Sequence, residues 1–177
     1  MSRALKSELL HDGMRVGIYG GSFDPVHRAH RHVARTALKR LDLDRVWWMV
    51  SPGNPLKAHA PANLETRAAA IRTLMPEPGH VVSTLEARLN TRTTIDLITA
   101  LQRRYPRVHF VWIMGADGLA NFHHWKDWQA IAKRIPICVI ARPGTAMKAR
   151  LSPAARYLAR SRKRDSQAKT LVLGNPP

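Results

Sequence analysis

The chain has 177 residues, 45% of them apolar, which suits one folded domain with its own core and excludes a disordered chain. A formal net charge of +17 favours anionic partners without choosing among a nucleotide, RNA, DNA or an acidic surface. A single cysteine excludes a disulfide framework and a Cys-rich zinc site, and no apolar stretch approaches the roughly 20 residues of a membrane helix, so a soluble cytoplasmic protein without a membrane partner is expected.

Residues 1–13 read as a polar N-terminal extension and 14–177 as one domain. Arg15-Val-Gly-Ile-Tyr-Gly20 is an apolar run halted by Gly20-Gly21, the pattern of a strand entering a glycine turn. Val33, Ala34, Ala37, Leu38 and Leu41 recur at helical spacing and predict a helix over about 26–41. Val46-Trp-Trp-Met-Val50 predicts a second strand. A long loop from Ser51 then leads to a helix starting near 61 or 62, with Leu64, Ala68, Ile71 and Leu74 along one side. His80 to Ser83 is a weaker strand signal, and Ile95, Ile98 and Leu101 predict a helix over 94–104.

The run 108–114 is continuously apolar, as parallel strands buried on both faces are. Gly115-Ala-Asp-Gly118 predicts a loop, followed by helical turns containing Trp125 and Trp128. Residues 135–141 predict a strand in which Pro136, lacking an amide donor, belongs at the start or at an edge. Cys138 in this run reads as a buried thiol rather than a nucleophile. Ser152-Pro153 has the form of an N-cap and first helical residue, leading a helix towards 160, and Thr170 to Leu173 predicts a last strand. Between Arg142 and Lys169 nine Arg or Lys residues face Asp165 alone, either a solvated basic face or a guide for phosphates. The alternation of strands and helices predicts a three-layer α/β fold around a mostly parallel sheet.

The sharpest feature is Gly20-Gly-Ser-Phe-Asp-Pro-Val-His-Arg-Ala-His30. Gly20 and Gly21 remove side chains where a phosphate could approach, and a helix N-terminus beyond them favours an anion. His27 and His30, three apart, share a helix face and could hold two oxygens of one phosphate chain. Alone, the glycines read as an ordinary turn, and the histidines as surface residues or part of a metal site. Phe23 suits anchoring of the loop in the core. Neither the G-x-G-x-x-G nor the G-x-x-x-x-G-K-[ST] pattern is present.

With GGSFDPVHRAH, SPGNPLK, IMGAD, FHHWKDW and IARPG in place, the chain from Val16 to Leu173 resembles the nucleotidyltransferase superfamily with an (H/T)xGH-type signature, and within it the bacterial nicotinate-nucleotide adenylyltransferases. Ala29 stands where the signature usually has glycine. The resemblance implies a Rossmann-like fold and adenylyl transfer from ATP to nicotinate mononucleotide, with Mg²⁺ bound mainly through the ATP phosphates and no metal site of the protein's own. It implies catalytic roles for His27, His30 and Lys57. ATP contacts are implied at Gly20, Gly21, Ser22, Phe23, Gly115, Asp117 and Arg142, and acceptor contacts at Thr94, Asp96 and Trp125. From the residues alone, Lys57 and Arg142 read equally as surface charges, Asp117 and Asp96 as helix caps, and Trp125 as packing. Thr93 departs from the aromatic usual in the family. An (I/L)SSTxxR-like ATP-binding segment expected after the last core strand does not occur before Pro177, so the domain is expected to lack that loop and helix, whether by truncation or by nature.

Two other readings stay open at this stage. One is another nucleotidyltransferase, acting on phosphopantetheine or nicotinamide mononucleotide. The other is a non-catalytic RNA-binding protein on the same scaffold, although no nucleic acid is expected because the aromatic platform for single strands is missing. The sequence carries no signal of oligomeric state.

Overall fold

The computed structural model describes residues 9–52, 62–89, 91, 93–141, 146–174 and 176. Strand β1 (Arg15–Gly21) leads to α1 (Arg28–Arg40), and β2 (Arg45–Val50) to α2 (Leu64–Leu74). Strand β3 (His80–Ser83) is followed by the single turn α3 (Leu85–Arg88) and by α4 (Thr94–Arg104). Then come β4 (His109–Gly115), α5 (Ala116–Asn121), a 3₁₀ turn (Phe122–His124), α6 (Trp128–Arg134) and β5 (Ile137–Ile140). The described chain closes with α7 (Ala146–Leu151), α8 (Pro153–Tyr157), two 3₁₀ turns and α9 (Ala168–Leu171). No helix among the described residues is long and apolar enough to cross a membrane.

The five strands form one sheet in the order β3-β2-β1-β4-β5, and every neighbouring pair is parallel. Because side chains alternate along a strand, each strand feeds two cores. Val46, Trp48 and Val50 of β2 join Val111 and Ile113 of β4 against Val33, Ala34 and Ala37 of α1. Trp47 and Met49 join Val16, Ile18, Phe110, Trp112 and Met114 against Leu97, Ile98 and Leu101 of α4 and Ile131 of α6. Helices thus cover both faces, the condition under which all-parallel sheets occur.

Helix termini follow their local chemistry. Ser152 caps α8 by accepting from the Ala155 amide at 3.2 Å, with Pro153 at the first helical position as expected. Strand β5 starts just after Pro136, and it is an edge strand. One expectation is corrected: residues 170–173 form no strand but lie in and just beyond α9. An apolar run of four has no period of its own, and here Val172 is buried in the α1-side core with Leu171 packed beside it. The basic segment also finds its place, since Asp165 pairs with Arg40 at the last residue of α1. That end lies a helix length, roughly 20 Å, from the histidines at the start of α1. Arg160, Arg162, Lys163 and Arg164 are exposed, so this part of the segment is a solvated face.

Candidate active site

In a parallel sheet the helix after each strand runs back, so strand carboxyl ends and helix N-termini share one edge. Outward from β1 the chain goes to β2 on one side and to β4 on the other, which makes the β1/β4 boundary the topological switch point where open α/β sheets form their ligand crevice. Tyr19 of β1 lies opposite Ile113 of β4, so the two strands run out together at Gly21 and Gly115. The sequence-predicted residues that follow these two strands therefore start from one edge of the sheet, side by side.

On the β1 side, Phe23 takes the left-handed backbone conformation (φ 47°), and its ring is buried against Tyr19 and Trp48. What Phe23 can offer a ligand is backbone. The Asp24–Pro25 peptide is cis, and the Asp24 carboxylate accepts the Ala62 amide at 3.0 Å. Helix α1 begins one residue later than a helical reading of both histidines requires, because His27 is its N-cap with extended backbone (φ −148°). The pairing of the imidazoles survives, with ring centroids 3.9 Å apart at 35°. The His27 amide donates to Nδ1 of His30 at 3.2 Å. A neutral His30 ring then carries its proton on Nε2, and that nitrogen is a donor. The His30 ring also stands edge-on to Phe23 at 5.3 Å, so it rests on the buried aromatic cluster.

Gly20 serves a purpose that its sequence context does not announce. A Cβ there would lie 2.5 Å from Cη2 of Trp112, so the missing side chain makes room for an indole of β4. Trp112 in turn stands edge-to-face with Trp125 at 6.0 Å, and Phe122 does the same at 5.3 Å. Trp125 is half-buried and held upright by two neighbours, with extended backbone just past the 3₁₀ turn.

On the β4 side the expected loop at 115–118 is absent, because α5 starts at Ala116 directly after the strand. Asp117 lies in its first turn, where a carboxylate complements the helix dipole, and is exposed. A Cβ on Gly115 would lie 2.5 Å from Oδ1 of Asp117, so only glycine lets that carboxylate fold back over the strand end. Asp96 lies exposed in the first turn of α4, with one carboxylate oxygen engaged by the residue before the helix. Thr93 caps α4, accepting the Asp96 amide at 3.3 Å while its hydroxyl donates to the Asp96 carboxylate at 2.6 Å. Thr94 opens α4 at the same sheet edge and is half-buried. Lys57 and Arg142 lie outside the described residues, as do Asn54, His59 and Arg92.

Two titratable groups were missed, one buried and one half-buried. Arg67 of α2 is 3% exposed and donates to carbonyls of the β1 and β2 exits. It shares the helical face of Leu64, Ala68 and Ile71, and that spacing was the available signal. Glu86 of α3, just past the carboxyl end of β3, has its carboxyl pushed up to about 7 by burial. Away from the crevice, burial lowers the His80 imidazole below its usual value, and its Nδ1 accepts the Trp48 indole N–H at 3.2 Å.

Over 160 residues the chain is 56% identical to a protein of Ruegeria pomeroyi named probable nicotinate-nucleotide adenylyltransferase, covering 90% of this chain and 75% of that one. A Cereibacter sphaeroides protein of the same name is 54% identical over 164 residues, covering 93% and 87%. Among solved structures, Plasmodium falciparum nicotinic acid mononucleotide adenylyltransferase complexed with NaAD superposes with a TM-score of 0.67. That match has 19% identity and covers 75% of this chain and 66% of that one, so it speaks to the fold alone. Residues 18–169 match the cytidylyltransferase-like family, and the chain belongs to it.

Proposed function

We propose that the protein transfers the adenylyl group of ATP to nicotinate mononucleotide, releasing pyrophosphate. The observation that carries this reading is the closely paired His27 and His30 rings beyond the carboxyl end of β1, beside the β1/β4 switch point. The names of relatives more than half identical over most of the chain support the same reaction and acceptor.

In this reading a phosphate oxygen of the mononucleotide attacks the α-phosphorus of ATP. The new P–O bond forms as the bond from the α-phosphorus to the bridging oxygen breaks, and that oxygen leaves with pyrophosphate. The attacking phosphate is already ionised near pH 7, so no strong general base is needed. Catalysis consists of alignment and of balancing charge on the phosphoryl oxygens. His27 and His30 grip the phosphates, and main chain at Gly20, Gly21 and Ser22 lines their approach. On sequence grounds Lys57 and Arg142 add positive charge. Gly115 and Asp117 receive the adenosine, Asp117 through the ribose hydroxyls. Trp125 offers its indole to the pyridine ring of the acceptor, beside Thr94.

Among the described residues no three His, Cys, Asp or Glu side chains gather as a metal-holding set. An Mg²⁺ held through the ATP phosphates and water would offset their negative charge, as this ion is ordinarily bound beside phosphates.

His30→Ala tests the reading. Turnover should fall about 10²-fold or more, as when one donor to a developing oxyanion is removed, with the thermal midpoint preserved. Undiminished turnover would remove His30 from the mechanism. Pyrophosphate release with nicotinate mononucleotide, nicotinamide mononucleotide and phosphopantetheine as rival acceptors tests the substrate, and preference for either of the last two would overturn that assignment.

A further inference from the structure

Arg67 is a buried cation whose partners among the described residues are all main-chain carbonyls. Its Nε donates to Ala62 at 2.7 Å, one terminal nitrogen to Ser22 at 2.7 Å and Ser51 at 2.8 Å, and the other to Pro52 at 3.4 Å. Burying a guanidinium without a carboxylate is costly, and the usual compensation is a paired acid. Here the fork instead joins three separate pieces of chain: the exit of β1, the exit of β2 and the entry to α2. Two further bonds brace the same junction, from the Ser51 amide to the Gly21 carbonyl at 3.0 Å and from the Ala62 amide to the Asp24 carboxylate. The braced residues Ser22 and Asp24 lead directly into His27.

We propose that Arg67 is a positioning residue of the ATP subsite, fixing the β1 and β2 exit turns to one another and setting beneath the bound triphosphate a positive charge whose hydrogen bonds among the described residues all go to main-chain carbonyls. This rests on the assignment of the triphosphate to the turn between Gly20 and His30. The planar fork matters because its donors are fixed in direction, whereas a lysine ammonium on a flexible stem cannot hold carbonyls of three segments at set angles. The charge matters because the triphosphate is the most highly charged anion the site receives, so its loss weakens ATP more than the acceptor.

The experiment is steady-state kinetics of Arg67→Lys and Arg67→Met in the intact protein, below the thermal midpoint of each, with His30→Ala alongside. Arg67→Met should raise KM for ATP roughly tenfold or more, since small misplacements at a reacting centre are expensive. KM for nicotinate mononucleotide should move less than about threefold, that is under 1 kcal/mol. Arg67→Lys, which keeps the charge and loses the fork, should fall between parent and Arg67→Met, and its KM for ATP should vary with salt as the parent's does. A lowered thermal midpoint with both KM values unchanged, or raised alike, would reduce Arg67 to a purely structural pin and overturn the proposal. If Arg67→Met does not fold, Arg67→Lys decides, and a parental KM for ATP refutes it. Loss of turnover in His30→Ala with no ATP effect in the Arg67 variants sinks this proposal alone, whereas full turnover in His30→Ala sinks the site assignment beneath it.

Discussion

Gly20→Ala is the most direct probe of how the crevice is built. The new methyl would lie 2.5 Å from Cη2 and 3.0 Å from Cζ2 of Trp112, an indole that is 2% exposed and cannot swing into solvent. Gly20 does not use a left-handed backbone, so alanine introduces no dihedral strain and the cost is overpacking. Forcing a methyl into a filled core costs about 1–3 kcal/mol. For a chain of this size each kcal/mol is worth roughly 2–4 °C in Tm. Urea unfolding of the parent, Gly20→Ala, Trp112→Phe and the double variant would measure it. Trp112→Phe removes the two ring atoms the methyl meets, so the double variant should recover at least about 0.5 kcal/mol beyond additivity. A Gly20→Ala protein as stable as the parent, or strict additivity with Trp112→Phe, would refute the packing account and return Gly20 to a purely ligand-facing role.

Two further outcomes follow from titratable groups, half-buried Glu86 and buried Cys138. The Glu86 carboxyl rises from 4.5 to about 7, so the folded chain keeps a proton that the unfolded chain has released. The stability it contributes in acid is lost as pH climbs from 4.5 through 7, a loss of about 3 kcal/mol above that range. Glu86→Gln should therefore match the parent near pH 4.5 and exceed it by about that amount at pH 8 in denaturant titrations; a pH-independent difference would contradict the assignment. The Cys138 thiol is buried and pushed up to about 12, so a disulfide exchange reagent should modify it only as fast as the protein opens, and rapid labelling without denaturant would show it to be accessible.

The strands were legible where burial on two faces left continuous apolar runs, as at Val46 to Val50 and in β4. Their order was not, since a side-chain period of two records which face a residue takes and nothing about which strand lies alongside. Gly115-Ala-Asp-Gly118 was read as a loop because its composition is that of a turn, yet Asp117 suits a first helical turn equally well. At the candidate site the spacing of His27 and His30 brings their rings together, but alone it fits a surface or metal-site pair as well, and it does not show that His27 is an extended N-cap. The capping of Asp96 by Thr93 was harder to see, because which of two adjacent threonines ends the loop depends on the backbone at Thr93. Arg67 went unread because a charge is ordinarily counted as exposed, although its place among Leu64, Ala68 and Ile71 puts it on the buried side of α2.

The parallel pairing of β1 with β4 carries a kinetic consequence. One wall of the site is synthesised at the beginning of the domain and the other only after three helical crossovers have been made. Contacts so distant along the chain form late, because the intervening segment must give up its freedom before they are gained. A nascent chain ending before His109 would hold both histidines but have no second wall to place opposite them, so competence for nucleotide should arrive abruptly with the fourth strand rather than grow with length.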